Sequence, residues 1–284
     1  MFEYLITNQL LTCLTFVAYP NMKKIIYCFL FMTVLGCKNN DENKDEPANN
    51  PPPPDSIGFS IINVYPHDTS SFTQGLVVYK GKLYEGTGEY GTSKLLKTDL
   101  KSGRIEKQIP LDSSFFGEGI TILNDTVYQL TWKQGKVFVY NEKDLKKVKE
   151  FNFDKEGWGI TNDGKNLIVS NGTNKLYFYN PSDFKLIKEL EVLEAGTPAF
   201  NLNELEYIEG YIYANQWQLP YILKIDPSKG NVVGKCDLSE IWKRVKAKDP
   251  MSDVPNGIAY DSSIKKIYIT GKNWPDLFEI QFSQ

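Results

Sequence analysis

Histidine is nearly absent from this chain, and neither charge sign is in large excess. The 284 residues include one histidine, His67, which argues against a zinc site built from several imidazoles. The 32 Lys and Arg residues are balanced by 35 Asp and Glu residues, for a net charge of −3. A charge balance of this kind does not indicate a protein that binds nucleic acid.

The N-terminal apolar run is too short for a comfortable membrane span, and its flanks indicate a targeting signal. From Met22 onward, a basic pair precedes an apolar run that ends in the letters VLGC at residues 34–37. This order is typical of a signal peptide that ends in a bacterial lipobox. We expect residues 22–36 to be the signal and residues 1–21 to be a misassigned upstream extension. A buried or anchoring helix is the less favoured alternative, because a polar segment follows at once.

The implied mature N-terminus is Cys37, carrying a lipid. We expect residues 37–55 to form a disordered, extended tether, since Asn, charge and four consecutive prolines cannot bury a core. The lipid would attach the protein to a membrane of the bacterial cell envelope, on the periplasmic or the cell-surface side.

Cysteine is scarce as well. Of the four cysteines, Cys13 and Cys28 leave with the signal and Cys37 is modified, so that Cys236 alone remains. We therefore expect no internal disulfide, despite an oxidising compartment.

Aromatic residues and a repeated hairpin are what the sequence has in abundance. Aromatics reach 13%, which favours β structure. A strand, a turn and a returning strand recur five times, starting at Gln74, Glu118, Trp158, Asn203 and Asn256. Two more strand-like runs follow most of the hairpins, which gives four-strand units with a period of about 40 to 53 residues. This pattern predicts an all-β, five-bladed β-propeller over residues 56–284, whereas a sandwich would not repeat so regularly.

The last unit is one strand short. It ends at residues 276–282 after its third strand, and residues 59–66 at the other end of the domain form an unassigned strand. We predict that these two segments pair and close the ring, which removes edges that would invite aggregation.

The hairpins also predict where polar residues gather. Since a hairpin begins and ends at the same side of its sheet, both ends of each hairpin should lie at one mouth of the central channel. Besides the five starting residues, this set contains the ends of the returning strands: Trp132, Asn171, Trp217 and Lys272. Each has a plainer explanation. Glu118 could bind backbone amides, the tryptophans could pack between blades, and Lys272 could be a solvated rim charge.

Seven motifs spread over residues 59–282 carry a resemblance to a known family. They are PHDTSSFTQGL (66–76), GEGIT (117–121), LTW (130–132), GWGIT (157–161), LNELE (202–206), NQW (215–217) and GKNWPDLFEI (271–280). In this order they resemble the glutaminyl-peptide cyclotransferases of the plant and bacterial type, which are five-bladed propellers. The animal enzymes with the same reaction are zinc α/β proteins, and the single histidine argues against that relationship.

The resemblance implies an acyltransferase that converts N-terminal glutaminyl residues of peptides or proteins to pyroglutamyl and releases ammonia. It implies catalytic roles for Glu118, Lys272 and Asn203. It places substrate binding on Phe72, Gln74, Phe116, Trp132, Trp158 and Trp217. We expect no cofactor and no metal, and a monomer.

Other interpretations stay open at this point. A non-catalytic propeller could bind peptides or glycans through the aromatic mouth. A metal-dependent, lactonase-like propeller would need several convergent carboxylates, whereas the mouth carries one clear acid and a lysine. Glu204 and Glu206 could bind a cation, but two carboxylates one residue apart in a strand are expected only to pack the turn. His67 is expected to fix the corner at residues 66–68.

Overall fold

A computed structural model of the chain describes residues 51–283. The predicted upstream extension, the signal segment and Cys37 lie outside these residues. Within the described range, no helix is both long enough and apolar enough to cross a membrane.

The described residues form five four-stranded blades around a central channel, which confirms the predicted propeller. Two strands precede the repeats, β1 (Asp55–Ile57) and β2 (Phe59–Pro66). Blade one contains β3 (Thr73–Tyr79), β4 (Lys82–Thr87), β5 (Lys94–Asp99) and β6 (Ile105–Pro110). Blade two contains β7 (Gly117–Leu123), β8 (Thr126–Thr131), β9 (Lys136–Asn141) and β10 (Lys147–Asn152). Blade three contains β11 (Ile160–Asn162), β12 (Leu167–Ser170), β13 (Lys175–Tyr179) and β14 (Leu186–Glu191).

A short hairpin, β15 (Leu193–Glu194) and β16 (Thr197–Pro198), leads into the fourth blade. Blade four contains β17 (Leu202–Ile208), β18 (Tyr211–Gln216), β19 (Tyr221–Ile225) and β20 (Val232–Asp237). The helix α1 (Ser239–Lys248) follows and buries Ile241 and Val245, an insertion that the repeat pattern did not predict. Blade five contributes β21 (Pro255–Asp261), β22 (Lys266–Gly271) and β23 (Asp276–Phe282).

The innermost hairpins turn at residues that can adopt the positive φ angles of a tight two-residue turn. Lys80 and Gly81 both have positive φ, of 50° and 73°, as a two-residue turn that matches strand twist requires. Asn124 and Asp125 adopt the same conformation in blade two, with φ of 50° and 58°. These turns lie at the end of the channel opposite the mouth.

The ring closes as predicted. Strand β2 pairs antiparallel with β23, with Phe59 opposite Phe282 and Pro66 opposite Asp276. Side chains reinforce this seam, because the carboxylate of Glu279 accepts hydrogen bonds from Asn63 at 2.9 Å and from Tyr65 at 2.7 Å. In addition, β1 pairs in parallel with β20 of blade four, so that the first strand begins at Asp55, which the sequence placed at the end of the tether.

The hydrophobic core lies between neighbouring blades. In the described part of the chain, five clusters of buried side chains each combine residues from two adjacent blades. Leu130 of blade two and Leu167 of blade three, for example, belong to one cluster and are fully buried. Each blade is therefore stabilised by both of its neighbours, which holds the inner strands at fixed positions around the channel.

Glycine allows the inner strands to approach closely. A Cβ on Gly159 would lie 2.1 Å from the carbonyl oxygen of Asn203, and one on Gly75 would lie 2.3 Å from the backbone nitrogen of Ile120. Blade four has Glu204 in the equivalent position. Its carboxylate accepts hydrogen bonds from the backbone of Leu76 in blade one, at 3.2 Å, and from Ile258 in blade five, at 2.9 Å.

The expectation that Glu204 and Glu206 pack only the turn was therefore wrong. Glu206 accepts hydrogen bonds from the backbone of Tyr260 at 2.8 Å and from the hydroxyl of Thr161 at 3.2 Å. Inner strands have no neighbour on their channel side, so their backbone N–H groups need other acceptors, and these two carboxylates supply them. Across residues 51–283 there is no group of three or more His, Cys, Asp or Glu side chains that could hold a metal ion.

Candidate active site

The channel mouth opens into a cavity of about 320 Å³. The structure brings all nine residues predicted for the site into its lining: Phe72, Gln74, Phe116, Glu118, Trp132, Trp158, Asn203, Trp217 and Lys272. Two further acids, Glu89 and Asp253, complete the lining. These eleven residues come from all five blades, so the cavity exists only in the closed ring.

Glu118 lies at the base of the cavity at the start of β7, between Gly117 and Gly119. Its side chain is 4% exposed, and its buried Oε2 has no hydrogen-bond partner. Burial raises the pKa of this carboxyl group well above its usual range. The positive charge of Lys272 opposes this shift, and the negative charge of Glu156 adds to it. Glu118 is therefore not held by backbone amides, which removes the plainer explanation of this acid.

Lys272 follows β22 and is also buried rather than solvated. It is 4% exposed, and its Nζ lies 4.4 Å from the centre of the Phe72 ring. Burial lowers the pKa of the ammonium group, although the charges of Glu118, Asp253 and Glu89 partly compensate. A cation–π contact and a buried acid thus flank a lysine that can donate hydrogen bonds into the cavity.

Two amide side chains present opposite polarities to the cavity. The Oε1 of Gln74 accepts a hydrogen bond at 3.2 Å from Asn256, which leaves the Nε2 of Gln74 as the donor. The Oδ1 of Asn203 is buried without a partner and is a free acceptor. Asn256 itself lies behind Gln74, and Asn171 binds Thr173 in the loop after β12, so these two predicted mouth residues do not line the cavity.

Aromatic rings form the walls. The ring of Phe116 makes edge contacts with Phe72, at 6.2 Å between centroids, and with Trp132, at 5.6 Å. On the other side, Trp158 and Trp217 make an edge contact at 5.4 Å. All five rings are half-buried and face the cavity, so their role is not confined to packing between blades.

Sequence reasoning missed three acids near the site. Glu89 lies in the glycine-rich loop after β4, and Asp253 lies just before β21. Glu156 lies outside the cavity lining but accepts hydrogen bonds from the indoles of Trp132 and Trp158. All three acids belong to loops outside the repeated hairpin. The sequence feature that could have indicated them is their position within a few residues of hairpin ends or starts.

His67 lies away from the cavity, as expected for a corner residue. Its Nδ1 is 2.7 Å from the carbonyl oxygen of Trp274, and its Nε2 is 3.3 Å from the carboxylate of Glu85. The side chains of His67 and Glu85 are both almost fully buried. This contact fixes the chain just before Phe72 and Gln74.

A buried carboxyl group without a partner, in an aromatic cavity that also holds a buried lysine, is typical of enzymes rather than of structural axes. The fold and the site thus define a propeller enzyme. Comparisons with known proteins make the assignment more specific. The family model described as glutamine cyclotransferase matches residues 29–282.

Two relatives support the match. The chain is 40% identical over 230 residues to a glutaminyl-peptide cyclotransferase of Arabidopsis thaliana, covering 80% of this chain and 72% of the relative. It superposes on the crystal structure of Myxococcus xanthus glutaminyl cyclase with a TM-score of 0.76 and 35% identity, covering 81% of this chain and 98% of that one. The chain belongs to the glutamine cyclotransferase family and is an enzyme of the glutaminyl-peptide cyclotransferase class.

Proposed function

We propose that the cavity converts the N-terminal glutaminyl residue of peptides or proteins to a pyroglutamyl residue, with Glu118 as the proton carrier. The observation that carries this proposal is the buried, partner-free carboxyl group of Glu118 beside Lys272 and two amides of opposite polarity. Such a set can move one proton, polarise one carbonyl group and accept one hydrogen bond from a substrate amide.

The reaction is an intramolecular aminolysis. The neutral α-amine of the substrate attacks its own γ-carboxamide carbon, and a C–N bond forms to give a tetrahedral intermediate. One proton then passes from the attacking nitrogen to the departing nitrogen. The old C–N bond breaks, the carbonyl re-forms as a lactam, and ammonia leaves.

Glu118 carries that proton. As a carboxylate it accepts the proton from the attacking nitrogen, and as an acid it donates the same proton to the departing nitrogen. A pKa raised towards the working pH suits both steps, because the group must gain and lose a proton in one turnover. Activity should therefore fall as the pH drops through the raised pKa of Glu118 and its base form is lost.

Lys272 and Gln74 stabilise the oxyanion that forms on the carboxamide oxygen. The ammonium of Lys272 and the Nε2 of Gln74 are both donors of the cavity lining, and the hydrogen bond from Asn256 to the Oε1 of Gln74 leaves that Nε2 available. Asn203 accepts a hydrogen bond from the substrate through its free Oδ1. Donors that are fixed before the reaction act more strongly in a water-poor site than in bulk water.

The aromatic walls hold the glutaminyl stem in a curled conformation and exclude water. Curling brings the amine to the carboxamide, and orientation of this kind contributes several kcal/mol to catalysis. Water in the cavity would hydrolyse the carboxamide and produce glutamate instead. The five rings that line the cavity are the side chains suited to both tasks.

The test of this proposal is Glu118→Gln, measured by ammonia release from a Gln-initiated dipeptide. The variant keeps the shape of the side chain but cannot carry the proton, so turnover should fall at least about 100-fold while dipeptide binding persists. Glu206→Gln is the matched control, because it removes another buried channel carboxylate that does not line the cavity. Glu118→Gln with full activity per folded molecule would overturn the proposal. Binding without ammonia release by the parent protein would support a non-catalytic propeller instead.

We also propose that Cys37 carries a lipid, that residues 1–21 precede the true start, and that residues 37–55 tether a monomeric domain to a membrane of the bacterial cell envelope. The lipobox letters at residues 34–37 support the anchor. Made from Met22 in its host, Cys37→Ser should leave the membrane fraction. Unchanged membrane association of this variant would contradict lipidation.

A further inference from the structure

Glu156 connects two walls of the cavity from behind. It lies in the segment between β10 and β11, and its Oε2 accepts a hydrogen bond from the indole Nε1 of Trp132 at 2.9 Å. The same oxygen accepts a second, longer hydrogen bond from the indole Nε1 of Trp158 at 3.4 Å. Trp132 ends the inner hairpin of blade two and Trp158 begins that of blade three, so one carboxylate holds side chains of two blades.

This contact completes an arc of aromatic rings. Phe72, Phe116 and Trp132 touch in sequence on one side, and Trp158 touches Trp217 on the other. No ring contact joins Trp132 to Trp158 among the described residues, and Glu156 occupies this junction. The orientation of both indoles therefore depends on an acceptor that is itself outside the cavity.

Lys133 supports the carboxylate without burying it. Its Nζ lies 3.7 Å from the Oε1 of Glu156 and 3.9 Å from the centre of the Trp132 ring. The side chain of Glu156 stays 43% exposed beside the cavity.

We propose that Glu156 is a positioning residue of this site: its carboxylate fixes the indoles of Trp132 and Trp158, and its negative charge acts on Glu118. The proposal rests on the proposed function for its catalytic consequence, whereas the fixing of the indoles is a property of the unliganded protein.

The charge of Glu156 should shift the pKa of Glu118 in one direction. Two charged groups act on Glu118: Lys272 lowers its pKa and Glu156 raises it, in addition to the larger effect of burial. Glu89 and Asp253 face Lys272 and favour its charged form. If the charge of Glu156 is removed, Glu118 should ionise at lower pH, and the pH at which activity is lost on the acid side should move down.

Two variants of Glu156 separate the fixing of the indoles from the effect of its charge on Glu118. Glu156→Gln keeps a carbonyl acceptor for the indoles and removes the charge, whereas Glu156→Ala removes both. Glu150→Gln is the matched control, because Glu150 is 43% exposed like Glu156 but pairs with Lys136 and Lys147 and contacts no cavity residue. All three variants change half-exposed side chains, and melting temperatures would show that they fold.

Indole N–H signals in ¹H–¹⁵N spectra report the positions directly, since the chain contains five tryptophans. In Glu156→Ala, the signals of Trp132 and Trp158, assigned with Trp→Phe variants, should shift upfield, while those of Trp242 and Trp274, which do not touch these rings, stay. In Glu156→Gln the two signals should move less, and in Glu150→Gln none should move. Unmoved Trp132 and Trp158 signals in Glu156→Ala would overturn the structural part.

Kinetics test the catalytic part with a single dipeptide, so that ionisation of the substrate is the same throughout. Glu156→Ala should raise KM about 10-fold or more, the loss expected for hydrogen bonds to a charged acceptor. Glu156→Gln should keep KM within about 3-fold and shift the acid limb of kcat/KM to lower pH. An unshifted acid limb would overturn the electrostatic part. If the parent protein releases no ammonia, the proposed function fails, while the spectra still decide whether Glu156 fixes the indoles.

Discussion

The ammonium of Lys272 lies 4.4 Å from the centre of the Phe72 ring, inside a cavity in which Glu118 is the buried acid. The lysine precedes Asn273 on the segment that follows β22 of blade five, whereas Phe72 lies just before β3 of blade one. The contact therefore spans the seam between the first and the last blade. It holds a positive charge in the cavity lining and stabilises that charge by a cation–π interaction.

Lys272→Met should reduce kcat by about 100-fold or more, because one donor to the oxyanion is lost. It should also move the acid limb of kcat/KM to higher pH. The sign follows because the charge of Lys272 lowers the pKa of Glu118, so that its removal raises this pKa further. Rates measured against pH with one dipeptide check both effects.

Lys188→Met is the matched control, since Lys188 lies 4.1 Å from the centre of the Phe178 ring, far from the cavity lining. This variant should keep both the rate and the pH limb of the parent. A Lys272→Met enzyme that behaves like Lys188→Met would rule out the role of Lys272 in the reaction.

Glu206→Gln should raise the melting temperature at pH 8 by about 3 °C or more and leave it nearly unchanged near pH 4.5. Burial raises the pKa of Glu206 to about 8 from an ordinary value of 4.5. A group with a raised folded pKa stabilises the fold fully below pH 4.5, and this contribution is lost as the pH rises towards 8. Glutamine stays neutral at every pH and keeps an acceptor for the backbone of Tyr260, so the variant does not lose stability as the pH rises.

Glu142→Gln is a control in which the pKa of the replaced carboxyl group is shifted in the opposite direction. Hydrogen bonds from Tyr84 and Lys97 outweigh burial and lower the pKa of Glu142, so its contribution is present at neutral pH and lost on acidification. This variant should melt at a lower temperature than the parent at pH 8. Equal effects of the two substitutions at pH 8 would contradict the assignment of both shifts.

Gly159→Ala should destabilise the propeller by about 1–3 kcal/mol or more, because the new Cβ would meet the carbonyl oxygen of Asn203 at 2.1 Å. The collision involves two backbones that packing holds on both sides. Since Asn203 lines the cavity, activity per folded molecule should fall as well. Thermal melting and ammonia release measure the two effects.

Gly58→Ala provides the comparison. A Cβ there would meet the hydroxyl oxygen of Ser283 at 3.1 Å, and this exposed side chain can rotate away. We expect its melting temperature to stay within about 2 °C of the parent. If Gly159→Ala melts at the same temperature as Gly58→Ala, the close approach of the inner strands does not limit stability.

A variant that begins at residue 67 should aggregate or lose much of its stability, because β23 then has a free edge. A variant that begins at residue 51 retains β1 and β2 and should melt like the full domain. Melting curves and size-exclusion profiles of the two proteins make the comparison. Equal stability would show that strand exchange does not close the ring.

The sequence predicted the fold because its hairpin is repeated locally, and the ends of the hairpins indicated seven of the nine predicted lining residues. The other two, Phe72 and Phe116, were implied only by the resemblance to the family. Each inner hairpin carries its own turn residues and its own alternation, so five weak signals reinforce one another. Ring closure followed from simple strand counting. Helix α1 interrupts this pattern and was missed, although Ile241 and Val245 have helical spacing and form its buried face.

The contacts of Glu204, Glu206 and Glu156 could not be predicted in the same way. Glu204 and Glu206 accept hydrogen bonds from backbone groups of blades one and five and from a hydroxyl group of blade three, which are brought near by the closed channel. Glu156 contacts two indoles that lie on different blades. A local sequence pattern shows which face of a strand a residue lies on. It does not show which group of another blade will contact that residue in the closed ring.

The seam between β2 and β23 sets an order of events during synthesis. Asn63 and Glu279, which pair across it, are separated by 216 positions in the chain. At typical translation speeds, roughly 10 to 40 s pass between the appearance of the first and the second on the ribosome. Four blades can stack in that interval, but β2 must wait without its partner. The eleven-residue pocket, whose lining includes Lys272, is thus among the last parts of the molecule to form.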